Sequence, residues 1–179
     1  MNSGDDILEK IQKAKQDYYS ENQKNIFFKN KQKLECASQV VQQIDINMVC
    51  EKIVSYDKNC LFFNYPLFKL IATPQIYIEL ANRAFFVTAE ILKNYSSYDI
   101  NLDLQGITMS AVERYKGFIT LMSAEGLKNG QNYLKSLNRV YIYNPPSFAE
   151  AGYKIIFPLL DPIITSRIVI IPKTNIKDA

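Results

Sequence analysis

Apolar residues follow two spacings along this chain, and the switch between them predicts where helices and strands lie. Between residues 76 and 91 the apolar positions recur at helical intervals, as Ile76, Leu80, Ala84, Val87 and Ile91. Thr73 suits the N-cap of this helix and Pro74 its first position, so a long helix is predicted from there to about Lys93. Tyr98 to Gly106 then alternates apolar with polar residues, which is typical of a strand.

The next segments repeat this alternation of helix and strand. A helix is predicted to begin at Thr108 or Ser110 and to end near Gly126, and residues 140–143 have the β-branched and aromatic composition of a strand. Further on, Asp161-Pro162 predicts another helix start, and residues 168–171 predict a last strand. Strands that alternate with helices favour an α/β fold with a mostly parallel sheet flanked by helices.

The segment between the last two strands has an unusual polarity. Asn144-Pro145-Pro146 stops the preceding strand, and Ser147 can cap a helix over residues 148–160. The only charged residues in that helix are Glu150 and Lys154, whose i, i+4 spacing allows them to pair. Apolar residues on nearly every side predict an apolar cover for its outer face as well. That cover could be more protein, a lipid or a partner subunit.

The first part of the chain is more polar. Residues 1–43 predict two helices with narrow apolar stripes: Ile7, Ile11, Ala14 and Tyr18 on the first, and Leu34, Ala37, Val40 and Val41 on the second. Residues 47–54 predict a short helical turn, 56–59 a turn, and 61–64 an edge strand. We therefore divide the chain into an N-terminal helical extension, 1–46, and an α/β domain, 47–179. The extension is either a solvated pair of helices with modest docking or an arm that binds a partner.

Composition and charge exclude several classes of function. The chain is 47% hydrophobic and 22% charged with a net charge of +3, which is globular and too weakly basic to indicate nucleic acid. It has no histidine, which removes Ser-His-Asp and Cys-His catalysis and the usual zinc sites. Asp99 and Asp103 share one side of a strand, but such residues usually face solvent. We predict no catalytic residue, no metal and no required cofactor, and therefore no enzyme.

Three features of the sequence bear on the cellular location: the cysteines, the lengths of the apolar runs and the acidic start. Three cysteines without a CxxC spacing predict free, mostly buried thiols in a reducing, intracellular compartment. No apolar run approaches the length of a membrane-spanning helix, and the acidic start of the sequence resembles neither a secretory signal nor a mitochondrial presequence. The cytoplasm and the organelles, including mitochondria reached through an internal signal, stay open.

Four short motifs in order resemble the lipid-binding domain of the CRAL-TRIO family. They are a D-x-x-G turn (Asp103 to Gly106), an N-x-P strand end with a following aromatic (Asn144 to Phe148), a P-x-L-D-P helix end (Pro158 to Pro162) and a strand start at Ser166-Arg167-Ile168. The resemblance implies a CRAL-TRIO-like fold, in which the helix after N-x-P is a mobile gate over a hydrophobic pocket. It makes the following residues candidates for a lipid pocket or an interface: Phe148, Ala151, Gly152, Tyr153, Ile156, Phe157 and Leu160.

The departures from the family pattern matter as much. Where phosphatidylinositol-binding members have Y-P-E-R, this sequence has Tyr133-Leu134-Lys135-Ser136, so a cation replaces the headgroup glutamate. Arg167 stands where the family has a headgroup lysine, which makes Arg167 and Lys135 candidate headgroup contacts. The sequence ends eight residues after Ile171, before the family's further helix and strand, so an incomplete pocket is expected.

Two functional hypotheses follow from this comparison. The first is a non-catalytic CRAL-TRIO-like module that serves as an accessory or scaffolding subunit of a larger protein assembly, docks through apolar surfaces and holds at most a phospholipid. The second is a soluble lipid carrier or sensor with a hydrophobic pocket under helix 148–160. Both predict contact with proteins, lipid or a membrane surface, and neither involves nucleic acid.

Overall fold

The computed structural model describes residues 3–129 and 131–171, with side chains described for 6–126 and 133–171. Predictions that fall on residues 172–179 lie outside this range. The described elements, in chain order, are α1 (Ser3–Glu21), α2 (Lys29–Val41), α3 (Ile46–Ile53), β1 (Val54–Asp57), β2 (Cys60–Phe63), α4 (Tyr65–Ile71), α5 (Tyr77–Leu92), β3 (Tyr98–Asp103), α6 (Met109–Asn129), α7 (Gln131–Ser136), β4 (Leu137–Tyr143), α8 (Ala149–Ile156), α9 (Pro162–Ser166) and β5 (Ile168–Ile171).

The strands form one sheet in the order β1-β2-β3-β4-β5. β1 and β2 are an antiparallel hairpin, whereas β2, β3, β4 and β5 pair in parallel. The predicted α/β class with a mostly parallel sheet is confirmed. Because strand order follows chain order, right-handed crossovers place α5, α6 and α8 on one face of the sheet. In agreement, α6 contacts both α5 and α8.

The core lies between the sheet and these helices. Buried Val140 and Ile142 alternate with the half-buried Tyr141 and Tyr143 along β4, as the two-residue period of a strand requires. The N-terminal helices join the same core, because the predicted stripe of α1 is fully buried: Ile7, Ile11, Ala14 and Tyr18. The Tyr18 hydroxyl also donates to Glu35 Oε2 on α2 at 3.3 Å.

Several predicted boundaries were wrong for local reasons. A helical turn was predicted to end at residue 54 and a turn to span 56–59, but residues 54–57 are strand β1. They pair with Cys60–Phe63 across a two-residue turn in which Lys58 has φ +53°. Asn64 does not belong to the strand but caps α4, accepting from the Leu67 amide at 3.0 Å. That helix was missed. Its start signal, an asparagine cap followed by Pro66 in the first turn, is present in the sequence.

The two long predicted helices are each divided. Pro74–Ile76 is a 3₁₀ turn, and α5 begins after it at Tyr77; the Thr73 side chain makes no capping bond. Helix 148–160 is α8 over Ala149–Ile156 followed by a 3₁₀ turn at Phe157–Leu159, because Pro158 has no amide hydrogen to continue the α-helical ladder. Phe148 rather than Ser147 occupies the N-cap. By contrast, Asp161 caps α9 as predicted, accepting from the Ile163 amide at 2.7 Å.

Candidate functional site

The D-x-x-G and N-x-P motifs meet at the carboxyl ends of two neighbouring strands. Asp103 ends β3 and Asn144 follows β4, and the Asn144 Nδ2 donates to Asp103 Oδ1 at 2.9 Å. The same carboxylate oxygen accepts from the Gln105 amide at 2.9 Å, which holds the turn closed. Gly106 has φ +73° and Asn144 φ +50°, a conformation that glycine and asparagine adopt most readily. The motifs therefore fix the two loops from which α6 and α8 start.

Helix α8 lies against α6 through its smallest residue. Gly152 is the one fully buried residue of α8, and a Cβ built there would lie 3.8 Å from the Phe148 ring and 4.0 Å from Val112 Cγ2 of α6. Neighbouring Ala151 is exposed, as are Glu150 and Lys154. No ion pair joins Glu150 to Lys154 in the part of the chain that the structure describes. The helix thus has one buried row and one polar, solvent-facing row.

The remaining candidate pocket residues flank this buried row. Phe148, Tyr153, Ile156 and Leu160 are half-buried, and Phe157 is 37% exposed. The Tyr153 ring stacks on Phe157 with centroids 5.2 Å apart. The Tyr153 hydroxyl is sealed from solvent without a hydrogen-bond partner among the described residues, and burial raises its pKa. Five of the seven candidates are thus wholly or partly buried, whereas Ala151 and Phe157 are exposed.

The two candidate headgroup contacts differ in their surroundings. Arg167 Nη1 donates to three backbone carbonyls where α7 ends and β4 begins: Leu134 at 2.7 Å, Lys135 at 3.3 Å, and Leu137. This guanidinium therefore satisfies carbonyls that a helix end leaves without partners. The Lys135 side chain is exposed. Both residues lie beside the amino ends of β4 and β5, opposite the edge that holds Asp103 and Asn144.

A second feature lies at the carboxyl edge and was missed by sequence reasoning. A cleft of about 280 Å³ separates α1 and α2 from α4 and the start of α6. Its lining includes four cationic side chains, each from a different helix: Lys15, Lys33, Lys69 and Arg114. No sequence spacing relates these four positions, so only the fold brings them together.

The described cysteines are separate, unpaired thiols. All three cysteines are free; Cys36 and Cys50 are buried, and Cys60 is half-buried. Burial raises the pKa of the Cys50 thiol to about 11 and also raises that of Cys36, which keeps both in the less reactive thiol form. Within the described side chains, no three cysteine, aspartate or glutamate residues converge as metal ligands. None of the described helices combines the length and hydropathy needed to cross a bilayer.

Comparison with known proteins gives a matching family and related solved structures. The model of the CRAL/TRIO domain family matches residues 47–178. The crystal structure of Sfh5 is similar over 92% of this chain, with 15% sequence identity and a TM-score of 0.49. The chain covers 63% of Sfh5, which is less than two thirds of that protein. No curated protein matches the sequence.

Proposed function

The chain belongs to the CRAL/TRIO domain family, which implies a lipid-binding module, and on this premise we propose that it is non-catalytic and that α8 closes over the apolar part of a lipid. One observation carries the proposal: α8, in the position of the family's gate, buries only a glycine completely. Stabilisation by apolar burial grows with the apolar area removed from water, and glycine contributes almost none. Elements held by few buried contacts open at low free-energy cost.

The Tyr153 hydroxyl supports the same proposal. A buried hydroxyl without a hydrogen-bond partner destabilises the state that contains it by about 1–3 kcal/mol, and here that state is the one with α8 closed on α6. When α8 separates from α6, the hydroxyl gains water or an ester oxygen of an incoming lipid as an acceptor. The half-buried Ile156 and Leu160, together with the exposed Phe157, then supply an apolar lining for the acyl chain.

A disulfide that locks α8 onto α6 tests this function. A Cβ at Gly152 would lie 4.0 Å from Val112 Cγ2, so we expect oxidation to cross-link the thiols of the double variant Val112→Cys, Gly152→Cys. Uptake of a fluorescent phospholipid from vesicles should be lost in the oxidised double variant and return on reduction. The two single variants under the same oxidant are the matched controls and should keep their uptake. Equal uptake by the oxidised and reduced double variant would rule out the gate, and no uptake by the unmodified chain would rule out the carrier.

A second candidate function is that of an accessory or scaffolding subunit, and one surface favours it. Ile26, Phe27 and Phe28 follow α1 and are 86%, 93% and 65% exposed. Hydrogen bonds hold their turn: Asn25 Oδ1 accepts from the Phe27 and Phe28 amides at 2.9 and 2.8 Å. Gln32 closes the loop further by donating to the Gln23 carbonyl at 2.7 Å. Three neighbouring apolar side chains fixed outward are typical of a protein-binding surface.

The accessory role is tested by capture experiments with matched variants. We expect a partner protein to be retained by the unmodified chain and by Phe157→Ser, but not by Phe27→Ser. Both variants remove one exposed phenylalanine, so a general loss of apolar surface is controlled. This role would be contradicted if the chain is a stable monomer and retains no partner protein in a Phe27-dependent way. That outcome would leave the lipid-binding function standing.

A further inference from the structure

The cleft between the N-terminal helices and the α/β domain lies beyond the carboxyl ends of β2 and β3. Tyr65 and Lys69, on the helix that follows β2, and Gly106, in the loop that follows β3, form one wall. Lys15 of α1 and Lys33 of α2 contribute to the opposite wall. The cleft is therefore at the other end of the sheet from Arg167 and Lys135. In open α/β sheets, the carboxyl ends of the strands are the usual location of ligands.

The charges that line this cleft are of one sign. Lys15, Lys33, Lys69 and Arg114 line it, and its described lining includes no aspartate or glutamate. None of the four takes part in an ion pair with a described residue. Desolvation lowers the pKa of Lys33, and the nearby charges of Arg114, Lys29, Lys15 and Lys69 lower it further. The cluster thus concentrates positive charge, with no acidic side chain among the described residues that line the cleft.

Two of the four cationic groups make further contacts that position them. Arg114 donates to Asn30 Oδ1 at 2.9 Å and to the Tyr115 hydroxyl at 3.2 Å, while its Nε is buried without a partner among the described residues. The Lys69 ammonium lies 5.7 Å from the Tyr65 ring centroid. It would lie 3.6 Å from a Cβ at Gly106, so a larger residue there would narrow the cleft. The exposed Thr108 adds a hydroxyl donor beside the start of α6.

We propose that this cleft binds a phosphate-bearing ligand, either a small free phosphate compound or the phosphate of a lipid headgroup. Lys15, Lys33, Lys69 and Arg114 supply charge-assisted hydrogen bonds to its oxygens, and Thr108 supplies a neutral one. A bound phosphate would join α1 and α2 to α4 and α6 through a shared anion. This site is independent of the proposed gate, since it uses other residues at a separate part of the molecule.

Calorimetric titration of the full chain with inorganic pyrophosphate tests the free-phosphate source. Sedimentation with phosphatidylcholine vesicles, with and without phosphatidic acid, tests the headgroup source. Lys33→Gln, Lys69→Gln should weaken binding at least about tenfold, the loss expected from charge-assisted bonds. Lys58→Gln, Lys154→Gln removes the same charge from exposed positions outside the cleft and should bind like the unmodified chain.

Folding and charge are controlled separately. Lys33 and Lys69 are exposed, so we expect circular dichroism and the urea midpoint of their glutamine variant to be unchanged. Lys33→Arg, Lys69→Arg keeps the charge and should keep the binding. Binding of pyrophosphate assigns a free phosphate compound, and binding of phosphatidic acid vesicles alone assigns a headgroup; either supports the site. No binding of either probe, or equal weakening by the two glutamine pairs, would overturn it.

Discussion

Replacing Gly152 tests whether α8 packs on α6 as the structure has it. A methyl group at this position meets the Phe148 ring at 3.8 Å and Val112 Cγ2 at 4.0 Å, which are ordinary van der Waals contacts. Gly152→Ala should therefore raise the free energy of unfolding by about 1 kcal/mol, from higher helix propensity and a buried methyl group. Gly152→Leu adds three further carbons between packed groups, and overpacking of this kind costs about 1–3 kcal/mol.

The matched control is Ala151→Leu, because Ala151 is the adjacent residue of the same helix and is exposed. Its free energy of unfolding should change by less than about 0.5 kcal/mol. Urea unfolding followed by circular dichroism measures all three variants, and we expect Gly152→Leu to be about 1–2 kcal/mol less stable than Ala151→Leu, after its gain in helix propensity is included. Equal stability of the two leucine variants would refute the packing of α8 on α6.

Three further predictions concern groups outside this contact. Asn144→Ala should lower the free energy of unfolding in urea by about 2–3 kcal/mol, because it loses the hydrogen bond to Asp103 and places alanine in a left-handed backbone conformation. Asn144→Gly should lower it less, because glycine adopts that conformation without strain. Arg167→Lys should lower the free energy of unfolding by about 1–2 kcal/mol, because a lysine cannot reproduce the guanidinium hydrogen bonds to the end of α7. Lys135→Ala should leave the free energy of unfolding almost unchanged. Burial raises the pKa values of Tyr65, Tyr77 and Tyr98 to about 12, whereas tyrosine in the unfolded chain ionises near 10. The stabilisation should therefore be complete below a pH of about 10 and fall as the pH rises towards 12. A urea unfolding midpoint that stays constant over this range would contradict the burial of the three tyrosines.

The fold was predictable from sequence wherever one strong signal fixed an element. The alternation predicted a strand from Tyr98 to Gly106, and β3 spans Tyr98–Asp103, three residues shorter. The predicted apolar stripe of α1 is a buried helix face. Asp161 became a cap because aspartate before proline suits few other conformations. The hairpin strand β1 was missed, because its four residues have no alternation long enough to outweigh the helical pattern before them.

The candidate site was predictable only in part. The family motifs located Asp103, Asn144 and α8 by residue number, but the partner of α8 depends on which helix lies beside it in three dimensions. Sequence also suggested a helix that is apolar nearly all round, whereas Ala151 and Lys154 form an exposed row. The cationic cleft had no local signal at all, since Lys15, Lys33, Lys69 and Arg114 come from four separate helices.

Native mass spectrometry of the gently purified chain tests the central claim, lipid binding, most directly. We expect a population heavier than the 20.6 kDa chain by the mass of one phospholipid, present after purification or after incubation with phospholipid vesicles. Denaturation should release that mass, because the lipid is held without a covalent bond. A mass equal to the chain alone in every preparation, with folding verified by circular dichroism, would contradict the account.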